Sequence, residues 1–349
     1  MSVGVSKAEI NTLDTSPIVV RYRDDIVDGE RLDEISVTVF EAEKSPNSSL
    51  AWILSVKDDA GQEFEVKIWH THDVDMWWRE GQRYLLRDGR GTRRSASDIL
   101  LHSTADFTVH RPEGVVDLLA IGDSHIGREN RPKDSGDPFH TTRQFVAAMG
   151  YAVRYDVDAV IYAGDLFDEG PSVEEIAIAE IGLDILGKNG IPFYFVYGNH
   201  GVDTAKEFYD GIESTDISYI GPKGVSFKGS VEVFGVDNGS KEDISSVVSD
   251  FVSSPEIDRQ ILVTHNEIKP PRKTGVITVE TLYALSQIQF DYILSGHLHD
   301  AESGTYCETE IQYLGSTADI SANKNATDQS AWLIHITSDD INSSRLKVS

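Results

Sequence analysis

The stretch Val160-Ile161-Tyr162-Ala163-Gly164-Asp165-Leu166-Phe167-Asp168 decides the fold. It reads as a short buried strand that stops at a glycine and then delivers a carboxylate. Four other stretches repeat this pattern. Leu118-Leu119-Ala120-Ile121 precedes Gly122-Asp123-Ser124-His125, and Phe193-Tyr194-Phe195-Val196-Tyr197 precedes Gly198-Asn199-His200. Ile261-Leu262-Val263 precedes Thr264-His265-Asn266, and Tyr292-Ile293-Leu294 precedes Ser295-Gly296-His297-Leu298-His299. Each apolar run ends in Asp, Asn or His. The C-terminal edge of a parallel sheet is where open α/β folds bind ligands.

Working outward, the elements between these runs are helical. Phe145, Val146, Met149 and Val153 are spaced for one helix, and Val173 to Leu186 predicts a second, with Ile176, Ile178, Ile181, Leu183 and Ile185 on or near its apolar face. Strand, helix, strand, helix, strand implies parallel strands with right-handed crossovers. After His200 the pattern turns β-rich. Val225–Phe227 and Val231–Val236 form an expected hairpin, and Glu310–Leu314 and Ala331–Ile336 are expected closing strands. Helices are expected over Ile244–Val252 and near Glu280–Ser286. The fold class is α/β: two packed sheets with flanking helices over residues 115–349, preceded by a small all-β barrel.

That barrel is expected over residues 17–112, after a disordered segment at 1–16. Ile35–Phe40 alternates with period two, Ala51–Val56 and Glu63–Trp69 form a hairpin, and a short helix near His72–Arg79 leads to strands at Tyr84–Leu86 and Asp106–Val109. Six arginines lie between positions 79 and 94: Arg79, Arg83, Arg87, Arg90, Arg93 and Arg94. Trp52, Trp69, Trp77 and Trp78 also fall here. Trp52 reads as core, while Trp69 and one of Trp77 and Trp78 could form a stacking platform. The alternative for the arginines is a loop paired with the chain's many acids. Arg111-Pro112-Glu113-Gly114 reads as a linker.

Composition bounds the chemistry. There are 58 Asp and Glu against 31 Lys and Arg, a net charge of -27. Such a charge opposes folding by self-repulsion unless salt screens it within about 3 Å, as at 1 M. The acids are spread along the chain, which fits a haloarchaeal, high-salt cytoplasm. A polar N-terminus and no apolar run of membrane-spanning length place the chain in the cytoplasm, away from membranes. The single cysteine, Cys307, excludes a multi-cysteine zinc site. Oxygen and nitrogen donors remain: Asp123, His125, Asp165, Asn199, His200, His265, His297 and His299. This set suits Mn²⁺, Fe, Zn²⁺ or Mg²⁺. It exceeds the needs of one ion, and two divalent ions about 3.5–4 Å apart sharing a carboxylate would use seven of the eight groups.

In this order the five stretches resemble the motifs of calcineurin-like metallophosphoesterases: Asp-x-His, Gly-Asp-x-x-Asp, Gly-Asn-His, a lone His, and Gly-His-x-His. Gly164 to Ser172 and Tyr313-Leu314-Gly315-Ser316-Thr317 look like the SbcD-type DNA-repair exonuclease branch. The resemblance spans residues 117 to 320. It implies one ion held by Asp123, His125, Asp165 and His299, and a second held by Asp165, Asn199, His265 and His297. Asp165 would bridge them, His200 would face the scissile phosphate, and Mn²⁺ would be preferred. The N-terminal pattern is similar to the OB-folds of the replication protein A family, which bind single strands on aromatic and basic residues.

Two features depart from the branch. Gly201 stands where the family usually has an acid beside the catalytic His, so Asp168 or Asp203 would have to orient His200. Fifty residues follow His299, little room for a DNA-capping segment, so the barrel is expected to grip nucleic acid through Trp69, Arg83, Arg87, Arg90, Arg93 and Arg94. The usual ATPase partner is not assumed. The resulting expectation is a two-metal phosphodiesterase on single-stranded nucleic acid, with Asp165 and His200 catalytic, acting in repair or replication. A phosphoesterase on nucleotides or other small esters, and a non-catalytic accessory of single-strand-binding proteins, are the competing readings.

Overall fold

The computed structural model describes residues 22–348, except 46–48, 73, 75–77, 79–80, 112–113, 129–138, 169, 213–215, 319 and 321–328. The expected disordered segment at 1–16, Trp77, Arg79, much of the helix expected near His72–Arg79, and part of the expected linker fall outside the described residues. The chain divides into two units, Met1–Glu113 and Gly114–Ser349.

The first unit is all β. Its strands are β1 (Glu34–Lys44), β2 (Leu50–Asp58), β3 (Glu63–Trp69), β4 (Arg83–Arg87), β5 (Arg90–Arg93), β6 (Ile99–His102) and β7 (Thr108–His110). β1, β2 and β3 form an antiparallel meander, and β6 runs parallel to β3. β4 pairs with β1 while β5 pairs with β6. Only Asp88 and Gly89 separate β4 from β5, and Asp88 takes a left-handed φ of 61°. One bent strand therefore joins both edges and closes the barrel in the OB manner, with Val37, Leu54, Val66, Leu86 and Leu101 inside. The expected last strand at 106–109 is present as β7, which extends the sheet beyond β4, and a further strand not expected, Ile99–His102, lies beside β3. A short continuous apolar run, Ile99-Leu100-Leu101, was its signal.

In the second unit, chain order is β8 (Val116–Ile121), α1 (His140–Arg154), β9 (Ala159–Ala163), α2 (Val173–Lys188), β10 (Phe193–Val196), α3 (Val202–Gly211), β11 (Ile217–Tyr219), β12 (Val225–Phe227), β13 (Val231–Val236), α4 (Lys241–Val248), β14 (Arg259–Thr264), β15 (Ile268–Lys269), β16 (Ile277–Thr278), α5 (Val279–Ser286), β17 (Tyr292–Ser295), β18 (Glu302–Tyr306), β19 (Thr309–Tyr313), β20 (Ser330–Ile336) and β21 (Ile341–Lys347). Two six-stranded sheets result, ordered β11-β10-β9-β8-β20-β21 and β12-β13-β14-β17-β19-β18. β8, β9 and β10 are mutually parallel, as are β13, β14, β17 and β19. On β8, Val116, Leu118 and Ala120 face the opposite sheet, packing with Ile261, Val263 and Leu294. Leu119 and Ile121 face the helical layer, with Phe145, Met149 and Leu183. Burial on both faces is why these strands read as continuous apolar runs. No helix among the described residues is long and apolar enough to cross a membrane.

Two expectations about helices are corrected. A helix, α3, follows His200 directly where β structure was expected. α2 buries Ala179, Gly182, Leu183 and Leu186, whereas Ile181 is 53% exposed. Its start is set by a capping box: Ser172 Oγ accepts from Glu175 N–H at 3.2 Å, and the Glu175 carboxylate accepts from Ser172 N–H at 2.9 Å.

Leu101 has no exposed surface and lies on the strand that closes the barrel. Leu101→Ala should lower stability by about 2–5 kcal/mol, as cavity-forming Leu→Ala changes do. Urea unfolding followed by tryptophan emission reports it, since Trp52, Trp69 and Trp78 all lie in this unit.

Candidate functional site

The turns after β8, β9, β10, β14 and β17 meet at one end of the second unit. Their backbones are strained: Asp123, His125, Asp165 and His297 all take left-handed φ values, of 52°, 44°, 55° and 75°. Such conformations cost on the order of 1 kcal/mol each in non-glycine residues and cluster at functional sites. Hydrogen bonds from below hold them. Tyr162 is fully buried, and its hydroxyl accepts from Ser124 N–H at 3.1 Å and donates to the Asp165 carbonyl at 3.4 Å. Ser316 and Thr317 donate from their hydroxyls to the carbonyls of Asp123 and Gly122, each at 2.6 Å. That gives a physical role to two residues of the Tyr313–Thr317 stretch.

Asp165 divides its carboxylate. Oδ1 accepts from the backbone N–H groups of Asn199 and His200, both at 2.8 Å. Oδ2 faces His265 Nε2 at 3.2 Å and His125 Nε2 at 3.5 Å. Gly198 makes this possible by close approach, since a Cβ there would overlap the Asp165 carboxylate. His265 Nδ1 contacts the Ala163 carbonyl at 2.6 Å, which leaves its wholly buried Nε2 without a hydrogen-bond partner among the described residues. His125 Nε2 and His299 Nε2 face each other at 3.1 Å. His297 Nδ1 lies 3.0 Å from Asn199 Oδ1, and the His297 N–H reaches the Asp123 carboxylate at 3.0 Å. Among the described residues, three sets of side chains bring their donor atoms within 4.8 Å: Asp123, His125 and His299; Asp123, Asp165 and His265; and His125, Asp168 and His200. A buried imidazole nitrogen facing two carboxylates is the donor chemistry a divalent cation satisfies.

Electrostatics point the same way. Burial lowers His125 to about 3 and His299 to about 4, so both are neutral donors at neutral pH. Burial pushes Asp123 up to about 8. Burial also acts to lower His265, but the Asp123 and Asp165 carboxylates outweigh it and raise the imidazole to about 8. For Asp165, burial is outweighed by His265 and by the His200 N–H, and its carboxyl sits well below the usual range.

The acid facing His200 is Asp168, with Oδ1 3.6 Å from His200 Nδ1. Arg128 Nε lies 3.8 Å from the same carboxylate. Gly201 is the left-handed N-cap of α3 at φ 54°, and a Cβ there would press on the Phe167 carbonyl. Asp123, His125, Asp165 and His265 are buried, whereas Asn199 and His200 are exposed and form the rim. Beside that rim Tyr197 and Tyr219 stack at 5.6 Å, with Lys206 over Tyr197, an aromatic pair that sequence reasoning missed.

Among the described residues of the first unit, Arg83 and Arg87 lie on β4, and Arg90 and Arg93 on β5. Arg83 pairs with Asp59 at 2.6 Å, Arg87 with Glu34 at 2.7 Å, and Arg94 with Asp98 at 3.9 Å. Arg93 donates to the carbonyls of Asp24 and Ile26. Exposed Arg90 lies opposite His102 in the β5–β6 register, and His102 stacks on Trp69 at 6.1 Å. Trp78 is core, in T-shaped contact with Tyr84, and half-buried Trp52 packs against the same core, as expected of it; the other candidate for a stacking platform, Trp77, lies outside the described residues.

For Asp123 and His265 to hold a cation, the first must be ionised and the second neutral. Both shed their protons only as pH rises through about 8, so below that a cation must displace protons. Mn²⁺ affinity should fall by about tenfold per pH unit from 8 to 6 for each proton displaced. Calorimetry in buffers of different ionisation enthalpy should show at least one proton released at pH 7. An affinity flat over this range would remove both residues from the binding set.

Residues 116–301 match the sequence profile described as calcineurin-like phosphoesterase. The chain is 28% identical over 211 residues to the DNA double-strand break repair protein Mre11 of Haloferax volcanii, covering 59% of this chain and 46% of that one. It is 30% identical over 220 residues to the protein of that name in Methanosarcina acetivorans, covering 60% and 35%. The chain thus spans less than half the length of these two relatives. Among solved structures, the OB domain of a Methanosarcina mazei protein aligns with 28% of this chain and 85% of its own, at 14% identity and a TM-score of 0.25. With the profile covering more than half of its residues, the chain belongs to the calcineurin-like phosphoesterase family of metal-dependent enzymes.

Proposed function

We propose that the chain is a two-metal phosphodiesterase that cleaves single-stranded nucleic acid in DNA repair or replication, in a high-salt cytoplasm. The observation that carries this reading is the pair of overlapping donor sets that meet at Asp123, with Asp165 Oδ2 turned toward both His125 and His265. One ion would be held by Asp123, His125, Asp165 and His299, the other by Asp165, Asn199, His265 and His297, with Mn²⁺ preferred. When bound, the two cations polarise the phosphoryl group and lower the pKa of the attacking water. The chain's own residues do the rest. Asn199 and His200 are positioned through their backbone N–H groups by Asp165. His200 turns Nδ1 toward Asp168, which leaves Nε2 to face the phosphate and protonate the leaving oxygen. The exposed rim admits substrate, and the buried floor keeps the donors fixed.

The Mre11 relatives support a nucleic-acid substrate, and Trp69, His102 and Arg90 offer a stacking surface on the barrel. Carboxylates engage Arg83, Arg87, Arg93 and Arg94, and backbone carbonyls also engage Arg93, so stacking should carry more of the grip than charge. The same pairing favours the competing reading, a phosphoesterase on nucleotides or other small esters. Single-strand-binding proteins are candidate partners, and no ATPase partner is assumed.

The test is a nuclease assay at molar salt with Mn²⁺ on labelled single- and double-stranded DNA and RNA, beside bis-p-nitrophenyl phosphate. Cleavage of single strands, abolished by Asp165→Ala and His200→Ala, is the expected result. Turnover of the small diester alone would establish the competing reading. Asp168→Asn should lower kcat on the order of tenfold while Mn²⁺ affinity holds, because it acts by orienting His200. Trp69→Ala should weaken strand binding more than Arg90→Ala at molar salt, where counterion release contributes little. Equal losses in a salt titration would count against the stacking surface.

A further inference from the structure

A cavity of about 350 Å³ opens beside the metal-ligand cluster, with His297 as one wall. Asn238, Asn266, Glu267, Thr274 and Val276 line the remainder. The volume lies at the lower end of the ~300–1,000 Å³ range of small-molecule pockets. Its floor is rigid. Asn266 is buried, its amide donates to the Asp237 carbonyl and to Thr264 Oγ1, both at 2.8 Å, and its Oδ1 accepts from Gly239 N–H at 3.2 Å. Asn238 is tied down through its backbone N–H to the Tyr197 carbonyl at 3.0 Å and through Nδ2 to the His265 carbonyl at 2.8 Å. The Glu267 carbonyl accepts from Val276 N–H at 2.9 Å, which folds the loop that forms the far wall.

These commitments leave an inventory weighted toward acceptors. Asn238 Nδ2 gives one of its two hydrogens to the His265 carbonyl, its Oδ1 remains as an acceptor, and the Glu267 carboxylate is an acceptor with no donor of its own. Thr274 adds a hydroxyl. Among the described residues no lysine or arginine lines the cavity. Such a pocket repels a second phosphate and receives a neutral group rich in hydrogen-bond donors. His297 places it next to the phosphate position, since its ring also contacts Asn199.

Resting on the phosphodiesterase reading, we infer that this cavity is a nucleoside subsite. It takes the nucleoside attached to the scissile phosphate and favours bases with an exocyclic amino group, adenine, cytosine and guanine, over thymine and uracil. The amino group donates to Glu267 or Asn238 Oδ1, whereas a carbonyl in its place would face another acceptor. A site built to hydrogen-bond one group discriminates against the analogue that lacks it.

The test uses p-nitrophenyl 5′-phosphodiesters of deoxyadenosine, deoxycytidine and thymidine with the Mn²⁺-loaded full chain, with bis-p-nitrophenyl phosphate as the reference that has no nucleoside. KM for the adenosine and cytidine esters should be about tenfold lower than for the thymidine ester and the reference. Glu267→Gln, whose amide can both donate and accept, should bring the thymidine ester level with the others. Thr274→Trp, at an exposed loop position, should fill the cavity and bring the nucleoside-to-reference ratio of KM near one. Circular dichroism verifies that both variants are folded. Esters turned over alike by the wild type, or a ratio that Thr274→Trp leaves in place, would overturn the subsite. Because these substrates are not polymers, the outcome is separate from the oligonucleotide assay: a chain that prefers amino bases here yet cuts no strand retains the subsite and loses the nuclease reading.

Discussion

Everything at the site depends on how the Asp165 carboxylate is shared. One oxygen is held by two backbone N–H groups at 2.8 Å and the other is turned toward two imidazoles. The first contact fixes the turn after β10 against the turn after β9, and so positions Asn199 and His200. The second gathers His125 from the turn after β8 and His265 from the other sheet. Burial acts to raise this carboxyl, but His265 and, after it, the His200 N–H outweigh burial and hold Asp165 well below the usual range. Gly198 is required because the two turns approach too closely to admit a methyl group.

The surrounding fold serves this one residue. Parallel strands deliver their C-terminal ends to one edge, and burial on both faces makes that edge rigid. Left-handed backbone at Asp123, His125, Asp165 and His297 would relax in a loose loop. Here Tyr162, Ser316 and Thr317 tie the turns to the strands beneath. The electrostatic state is a compromise among buried groups: burial raises Asp123 to about 8 against the pull of His265, and the Asp123 and Asp165 carboxylates raise His265 to about 8 against burial. Neutral His125 and His299 complete a set of donors whose mutual repulsion a divalent cation relieves.

The chain as a whole carries a net charge of -27, and in the barrel unit arginines are paired with nearby acids. Arg83, Arg87 and Arg94 spend their charge on Asp59, Glu34 and Asp98, exposed pairs that contribute little to stability. Arg93 serves as a strut for residues 24–26. What remains for a ligand is a small surface in which Arg90, His102 and Trp69 adjoin across three strands, an arrangement less dependent on bare charge than a basic patch would be.

The sequence alone determined the order and type of the five motif strands, because a strand buried on both faces must be a continuous apolar run and its end must carry the chemistry. It also offered Asp, Asn and His at those ends, of which Asp123, His125, Asp165, His265 and His299 come together in the donor sets. Other features were not legible because they are set by neighbours far along the chain. The apolar face of α2 was misread, as Ile178, Ile181 and Ile185 share a spacing with core residues without being core. Ile99–His102 became the closing strand because β4 and β5 bend around Asp88, a decision of barrel geometry. Asp168 is the acid that faces His200, a proximity set by the turn after β9 and not by the residue next to His200, where Gly201 turns left-handed against Phe167. The cavity beside His297 exists only once Asn238, Asn266 and the loop after β15 are brought together. Local pattern selects elements, whereas close approach between distant turns decides which atoms meet.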